Sequence, residues 1–123
     1  MTEKSLFCGV NNPADASNLS DMEKKHVPVI PAPDTVTAGE AFEVTVNVGS
    51  TPHVMEEVHH IQWIDLYSGG NFITKVILTP VFMTAKATIN MVKSGAHETA
   101  TLRAVSRCNV HGMWESEKEI AVK

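Results

Sequence analysis

From residue 41 onward, apolar and polar positions alternate one by one. Phe42, Val44, Val46 and Val48 are interleaved with Glu43, Thr45 and Asn47, the period of two that turns one face of a strand to a core and the other to water. The same period runs through Val81, Met83, Ala85, Ala87, Ile89 and Met91, through Ala100, Leu102 and Ala104, and through Ile120 and Val122. Residues 60–67 and 72–79 are apolar on both faces, which predicts central strands. Gly39, the run Ser68-Gly69-Gly70-Asn71, Ser94-Gly95 and Gly112 separate these segments as turns. Pro28, Pro31 and Pro33 impose an extended entry that cannot be helical. Ahead of it, Asn12-Pro13 with Asp15 predicts a short helical turn, since asparagine caps and proline suits the first position. About seven short strands at this spacing predict an all-β fold, an immunoglobulin-like antiparallel sandwich or barrel. The chain reads as an N-terminal segment, 1–26, leading into a β domain, 27–123, within one folding unit.

At 123 residues the chain has the length of one domain and can bury a core without disulfide staples. It contains no run of about 18 apolar residues, so no transmembrane helix is expected. Its start, Met1 to Cys8, lacks the basic residues and apolar stretch of a secretory signal. Cys8 and Cys108 could pair in principle. Cys108 serves better as a metal ligand, and Cys8 is expected to be a dispensable thiol in a mobile end. A reducing, cytoplasmic setting follows. The net charge of −4 arises from interspersed signs, with neither a basic stripe for nucleic acid nor a basic amphipathic helix for a membrane. An anionic substrate would need a local positive patch on such a protein. Lys24 and Lys25, beside His26, could supply one; the plainer reading is two solvated lysines near a helix end.

The chemistry concentrates in a few side chains. Cys108-Asn109-Val110-His111-Gly112-Met113-Trp114 sets a thiol and an imidazole three residues apart before a glycine, so both can turn onto one metal ion. Upstream, His53 and His59 lie six residues apart, and His26 precedes Val27-Pro28. One thiolate with several neutral imidazoles is a mixed soft and borderline donor set that suits iron or copper at a redox site. A structural zinc site closes with four ligands in tighter pairs. Met113 invites a copper reading, since blue-copper sites join two histidines and a cysteine to a weak axial methionine. His60 and His97 lack partners in the pattern and read as ordinary histidines. Trp63 and Trp114 sit beside proposed ligands and read as core rings that shield the site. Phosphate-binding glycine loops and serine-nucleophile motifs are absent.

His53-x5-His59, the Cys108-Asn-x-His111-Gly-x-Trp114 run and Lys25-His26-Val27-Pro28 together resemble the superoxide reductase family, in particular its one-iron, neelaredoxin-type members. The resemblance extends from about residue 22 onward. It implies one mononuclear non-haem iron, with His26, His53, His59 and His111 as equatorial imidazoles, Cys108 as axial thiolate and a sixth position open to superoxide. The N-terminal segment would thus end on the first iron ligand. The resemblance further implies one-electron reduction of superoxide to hydrogen peroxide, a donor such as rubredoxin or another small electron carrier, and a homotetramer. Larger relatives carry a second iron centre on four cysteines; with Cys8 alone ahead of the core in this sequence, that second centre is expected to be absent. Members of the family place glutamate, lysine and histidine in succession, the glutamate reaching ferric iron and the lysine attracting superoxide. Here Glu23-Lys24-Lys25-His26 keeps the lysine at Lys25, sets Lys24 in the glutamate position and moves Glu23 one residue away. The competing readings are a cupredoxin-like copper electron carrier and a sandwich-type binding module with zinc or no metal.

Overall fold

A computed structural model describes residues 5–123. The strands are β1 (Val10–Asn11), β2 (Pro28–Val29), β3 (Thr35–Val36), β4 (Ala41–Val48), β5 (Ile61–Ser68), β6 (Asn71–Ile77), β7 (Lys86–Val92), β8 (Thr99–Cys108) and β9 (Gly112–Val122), with one helix, α1 (Asp21–His26). One sheet runs β1-β9-β8-β5-β6, with β3 also on β9; the other runs β2-β4-β7. Val44, Val46 and Val48 of β4 face Ile64, Leu66, Leu102, Ala104 and Ile120 in one buried cluster between the sheets. The expected sandwich is present.

Its details depart from the sequence pattern in four places, each for a local reason. β1 and β3 pair parallel with β9, so the large sheet is not wholly antiparallel; two-residue strands are too short to show a period. Residues 60–67 alternate poorly because the β5–β8 register shifts between Ile61 and Trp63. A bulge lets Ile61 and Ile64 both reach the core. Residues 71–77 form an edge strand rather than a central one, with Phe72, Ile73 and Ile77 exposed. The alternation that begins at Val81 becomes a strand only at Lys86. Pro80 enters a turn in which Val81 takes φ 73° and donates its N–H to the Met55 carbonyl at 2.7 Å.

The helix also lies elsewhere than expected. Asn12-Pro13 leads into a turn closed by Asn18 N–H on the Asp15 carbonyl at 3.0 Å. The helix starts at Ser20, whose Oγ accepts Glu23 N–H at 3.2 Å while Glu23 Oε1 accepts Ser20 N–H at 2.8 Å, a reciprocal capping box. It stops after His26 because Val27 precedes Pro28 and is forced extended, at φ −68° and ψ 119°. Cys8 is exposed but not on a loose end: its N–H closes a turn on the Ser5 carbonyl at 2.9 Å. Asn11 Nδ2 then ties Leu6 and Met113 carbonyls at 2.7 and 2.8 Å.

The loop after β4 crosses directly over the last turn of α1. At Gly49, φ is +78°, and a Cβ there would overlap the Lys24 carbonyl oxygen and lie 2.8 Å from Lys25 Cα. Thr51 N–H donates to the same Lys24 carbonyl at 3.0 Å. Glycine is therefore required on two counts, handedness and space. Gly49→Ala should destabilise the protein by roughly 2–4 kcal/mol, the sum of left-handed strain and overpacking. Gly39→Ala should cost only about 1 kcal/mol, since Gly39 shares the positive φ but has open space at its Cβ. Denaturant unfolding of the two variants checks this; equal losses would show that the crossing is not tightly packed.

Candidate metal centre

Three separate chain segments deliver the ligand candidates to one end of the sandwich. α1 ends on His26, which is 2% exposed. The irregular stretch between β4 and β5 carries His53 and His59. The β8–β9 hairpin carries Cys108, fully buried at the end of β8 and paired with Gly112, and His111 within the turn. Gly112 makes that turn possible: its φ is +78°, and the Leu6 carbonyl occupies the place of a Cβ.

The side chains converge closely. Ligand atoms of His26, His59, Cys108 and His111 lie within 4.8 Å of one another. His53 Nε2 lies 3.1 Å from His26 Nε2 and 3.6 Å from Cys108 Sγ, and His111 Nδ1 is 3.7 Å from that sulfur. The rings stand mostly edge to face, with His53 against His26 at 4.7 Å and 74°, and against His59 at 4.7 Å and 86°.

Two observations test whether these residues suit a metal. His26 Nδ1 is 2.7 Å from the Met22 carbonyl, and His53 Nδ1 is 2.6 Å from the Val54 carbonyl. Each Nδ1 must then carry the proton, leaving a bare lone pair on each Nε2. Those lone pairs face each other across 3.1 Å, a repulsive arrangement that a cation between the rings would relieve. His59 Nε2 is buried with no hydrogen-bond partner. Burial is the main force holding the His53 imidazole down to a pKa of about 4, and it also lowers His26 and His111. At neutral pH these are uncharged donors, as metal ligands must be. The donor set fits a thiophilic, imidazole-binding metal such as iron.

The copper reading fails on placement. Met113 alternates with Trp114 along β9 and so points to the opposite face, while the Trp114 ring lies 5.5 Å from that of His26, tilted by 33°. His26, His59 and His111 group with Cys108, and His53 lies 3.6 Å from its sulfur outside that group, more imidazoles than the two of a blue-copper site. Trp63 is not beside the site: it lies on the outer face of the large sheet, between Lys75 at 4.0 Å and Arg107 at 5.5 Å. Trp114 does line the site, buried, with Nε1 donating to the His111 carbonyl at 3.0 Å. His60 turns Nδ1 toward the Glu56 carbonyl at 3.0 Å, and His97 sits in a loop at φ 66°; neither joins the cluster. Lys24 and Lys25 are exposed on the last turn of α1. The Glu23 carboxylate is engaged by backbone N–H groups of Ser20 and Ala14 at 2.8 and 3.0 Å, which hold its pKa below the usual range. The Ser20-x-x-Glu23 signal was present in the sequence and identifies Glu23 as a cap.

The desulfoferrodoxin family model matches residues 18–117. The chain belongs to the desulfoferrodoxin family. A protein of Methanocaldococcus jannaschii is 44% identical over 119 residues, covering 95% of this chain and 97% of its own length. The superoxide reductase of Pyrococcus horikoshii is 35% identical over 106 residues, 79% of this chain and 88% of that one. Among solved structures, the superoxide reductase (neelaredoxin) of Ignicoccus hospitalis superposes with a TM-score of 0.79 at 33% identity, covering 93% of this chain and 95% of that one. Within the family the chain is of the neelaredoxin type.

The lowered histidine pKa values set an acid limit on the metal-free protein. Above about pH 6.5 folded and unfolded imidazoles are both neutral. Below it the unfolded chain takes up protons that folded His53 refuses until about pH 4, so stability falls with pH across that interval. His53 alone should remove on the order of 2–3 kcal/mol. Unfolding of the metal-free chain at pH 7.5 and at pH 5 checks the sign; a midpoint unchanged or higher at pH 5 would contradict it. Bound metal should move the loss to lower pH, since it competes with protons for the same nitrogens.

Proposed function

We propose that this chain is a superoxide reductase whose site is formed by His26, His53, His59, His111 and Cys108. The observation that carries the reading is the pair of unprotonated Nε2 atoms of His26 and His53, 3.1 Å apart, with the Cys108 sulfur 3.6 Å from one of them. Family membership supplies the chemistry: superoxide takes up one electron and two protons and leaves as hydrogen peroxide. Iron bound in this donor set would cycle between ferrous and ferric states and provide that electron.

The chain's own groups do the rest. The Met22 and Val54 carbonyls fix the tautomer and tilt of His26 and His53, the role such outer partners play at metal sites. Trp114 and the sandwich core keep water from the inner side of the cluster, while His59 and His111 are only half-buried and face the open side. Lys24 and Lys25, held beside His26 at the end of α1, offset the protein's net charge of −4 where an anion must approach. Glu23 acts as the cap that fixes α1. Among the described residues no helix is long and apolar enough to cross a membrane. A reducing cytoplasm suits two free thiols. The exposed Val54, Val58 and Val110 stand on the ligand-bearing loops, an apolar rim that suits brief docking of a small electron donor such as rubredoxin. Exposed Phe72 and Ile77 on the edge strand β6 favour assembly, with a homotetramer as the family expectation.

Cys108→Ser should abolish the thiolate-to-iron absorption band and at least nine-tenths of superoxide reduction. Its purified, iron-loaded absorption spectrum, with metal analysis, provides the check; an unchanged band would remove Cys108 from the site.

Lys25→Ala should slow the second-order reaction with superoxide by up to about tenfold at low salt and flatten its salt dependence, while iron content stays constant. Pulse-radiolysis rates across ionic strength measure both. Parent-like rates at low salt would end the steering assignment and leave the metal assignment standing.

A further inference from the structure

His59 differs from its neighbours in how it is held. His26 and His53 each anchor their second nitrogen on a backbone carbonyl. Among the described residues, the His59 ring makes no hydrogen bond, and its Nε2 is buried without a partner. The position of this ring must therefore come from its backbone. The β5–β8 ladder cannot supply it, because the pairing ends at Ile61 opposite Cys108. Beyond that pair a single side chain takes over. Asn109 Oδ1 accepts the His60 N–H at 2.9 Å, and Asn109 Nδ2 donates to the Val58 carbonyl at 3.1 Å. The Asn109 backbone N–H also donates to the His60 carbonyl at 3.1 Å. The amide thus reproduces the donor and acceptor of a strand residue, gripping the chain on both sides of His59.

We infer that Asn109 is a positioning residue that locks His59 to the Cys108 turn, so that a thiolate and an imidazole from distant segments remain in one ligand set. The inference rests on the metal-site reading above and deepens it. Asparagine meets the need because it offers one acceptor and one donor from a short side chain. The grip on the backbone replaces the outer hydrogen bond that metal-ligating histidines ordinarily make from the ring. A second grip acts on the same loop from within, where Glu56 N–H and His59 N–H exchange bonds with each other's carbonyls at 2.9 and 3.2 Å. That turn shapes the loop but does not join it to the Cys108 hairpin; Asn109 does.

The test is a double-mutant cycle on the full chain, with cobalt(II) as the probe metal, read through its sulfur-to-metal absorption. Asn109→Ala should weaken cobalt binding by about 10- to 100-fold, the usual effect of losing an outer-shell partner. In a His59→Ala background the same substitution should cause little further loss, because its target is gone. In the metal-free protein, the His60 amide should exchange with solvent about fivefold faster or more in Asn109→Ala. Should that variant fail to fold, Asn109→Asp carries the same cycle, keeping the acceptor for His60 and losing the donor to Val58. Equal weakening with and without His59, or unchanged affinity in the single variant, would overturn the inference. Absence of the sulfur band from the parent would instead overturn the metal-site reading, which separates the two failures.

Discussion

Two imidazole nitrogens with lone pairs aimed at each other across 3.1 Å, beside a fully buried thiol, form an arrangement that would not assemble unaided. Repulsion and lost hydration both oppose it, and burial prevents protonation from relieving it. The strain must be borne by the surrounding scaffold. The sandwich supplies it: Val44, Val46 and Val48 of β4 pack against the inner residues of β5, β8 and β9, the loops that present His53, His59 and His111 spring from those strands, and α1 presents His26. The arrangement is poised for a cation, which exchanges the repulsion for attraction without moving the frame.

The helix α1 shows how a short element can be held rigidly. Six residues are too few for helical stability of their own. Three constraints compensate: the Ser20–Glu23 capping box at one end, Pro28 forcing the exit at the other, and Gly49 lying directly on the Lys24 and Lys25 backbone. His26 is the one buried residue of the helix. The construction therefore serves to deliver one imidazole. Glu23 is committed to that cap by the Ser20 and Ala14 backbone N–H groups.

Much of this was legible in the sequence, and what was not has physical causes. Period-two alternation marked β4, β7 and β8 because each has one dry and one wet face. It misjudged β6, since an edge strand with exposed Phe72 and Ile77 looks like a buried one when only apolar character is counted. It blurred β5 because a bulge shifts the phase near Ile61, and it could not register β1 or β3, each two residues long. The five ligand candidates stood out by residue type and spacing. Trp63 did not follow: its nearness to His59 and His60 along the chain is undone by strand alternation, which sends it to the outer face. Asn109 stood in the Cys108-Asn-x-His111 run, but its role did not follow, because a side chain that binds only backbone does not reveal its partners in a pattern of side chains.

The topology also governs when the site can come into being. Its parts come from a helix near one end of the chain, a mid-chain loop and a hairpin near the other, and that hairpin is further pinned by β1 lying against the start of β9. During synthesis, at about 5–20 residues per second, His26 waits several seconds before Cys108 and His111 exist at all. Until β9 has been made and has paired, the nascent chain offers at most scattered imidazoles. Metallation must be a late event in biogenesis, following the closure of the sandwich rather than guiding it.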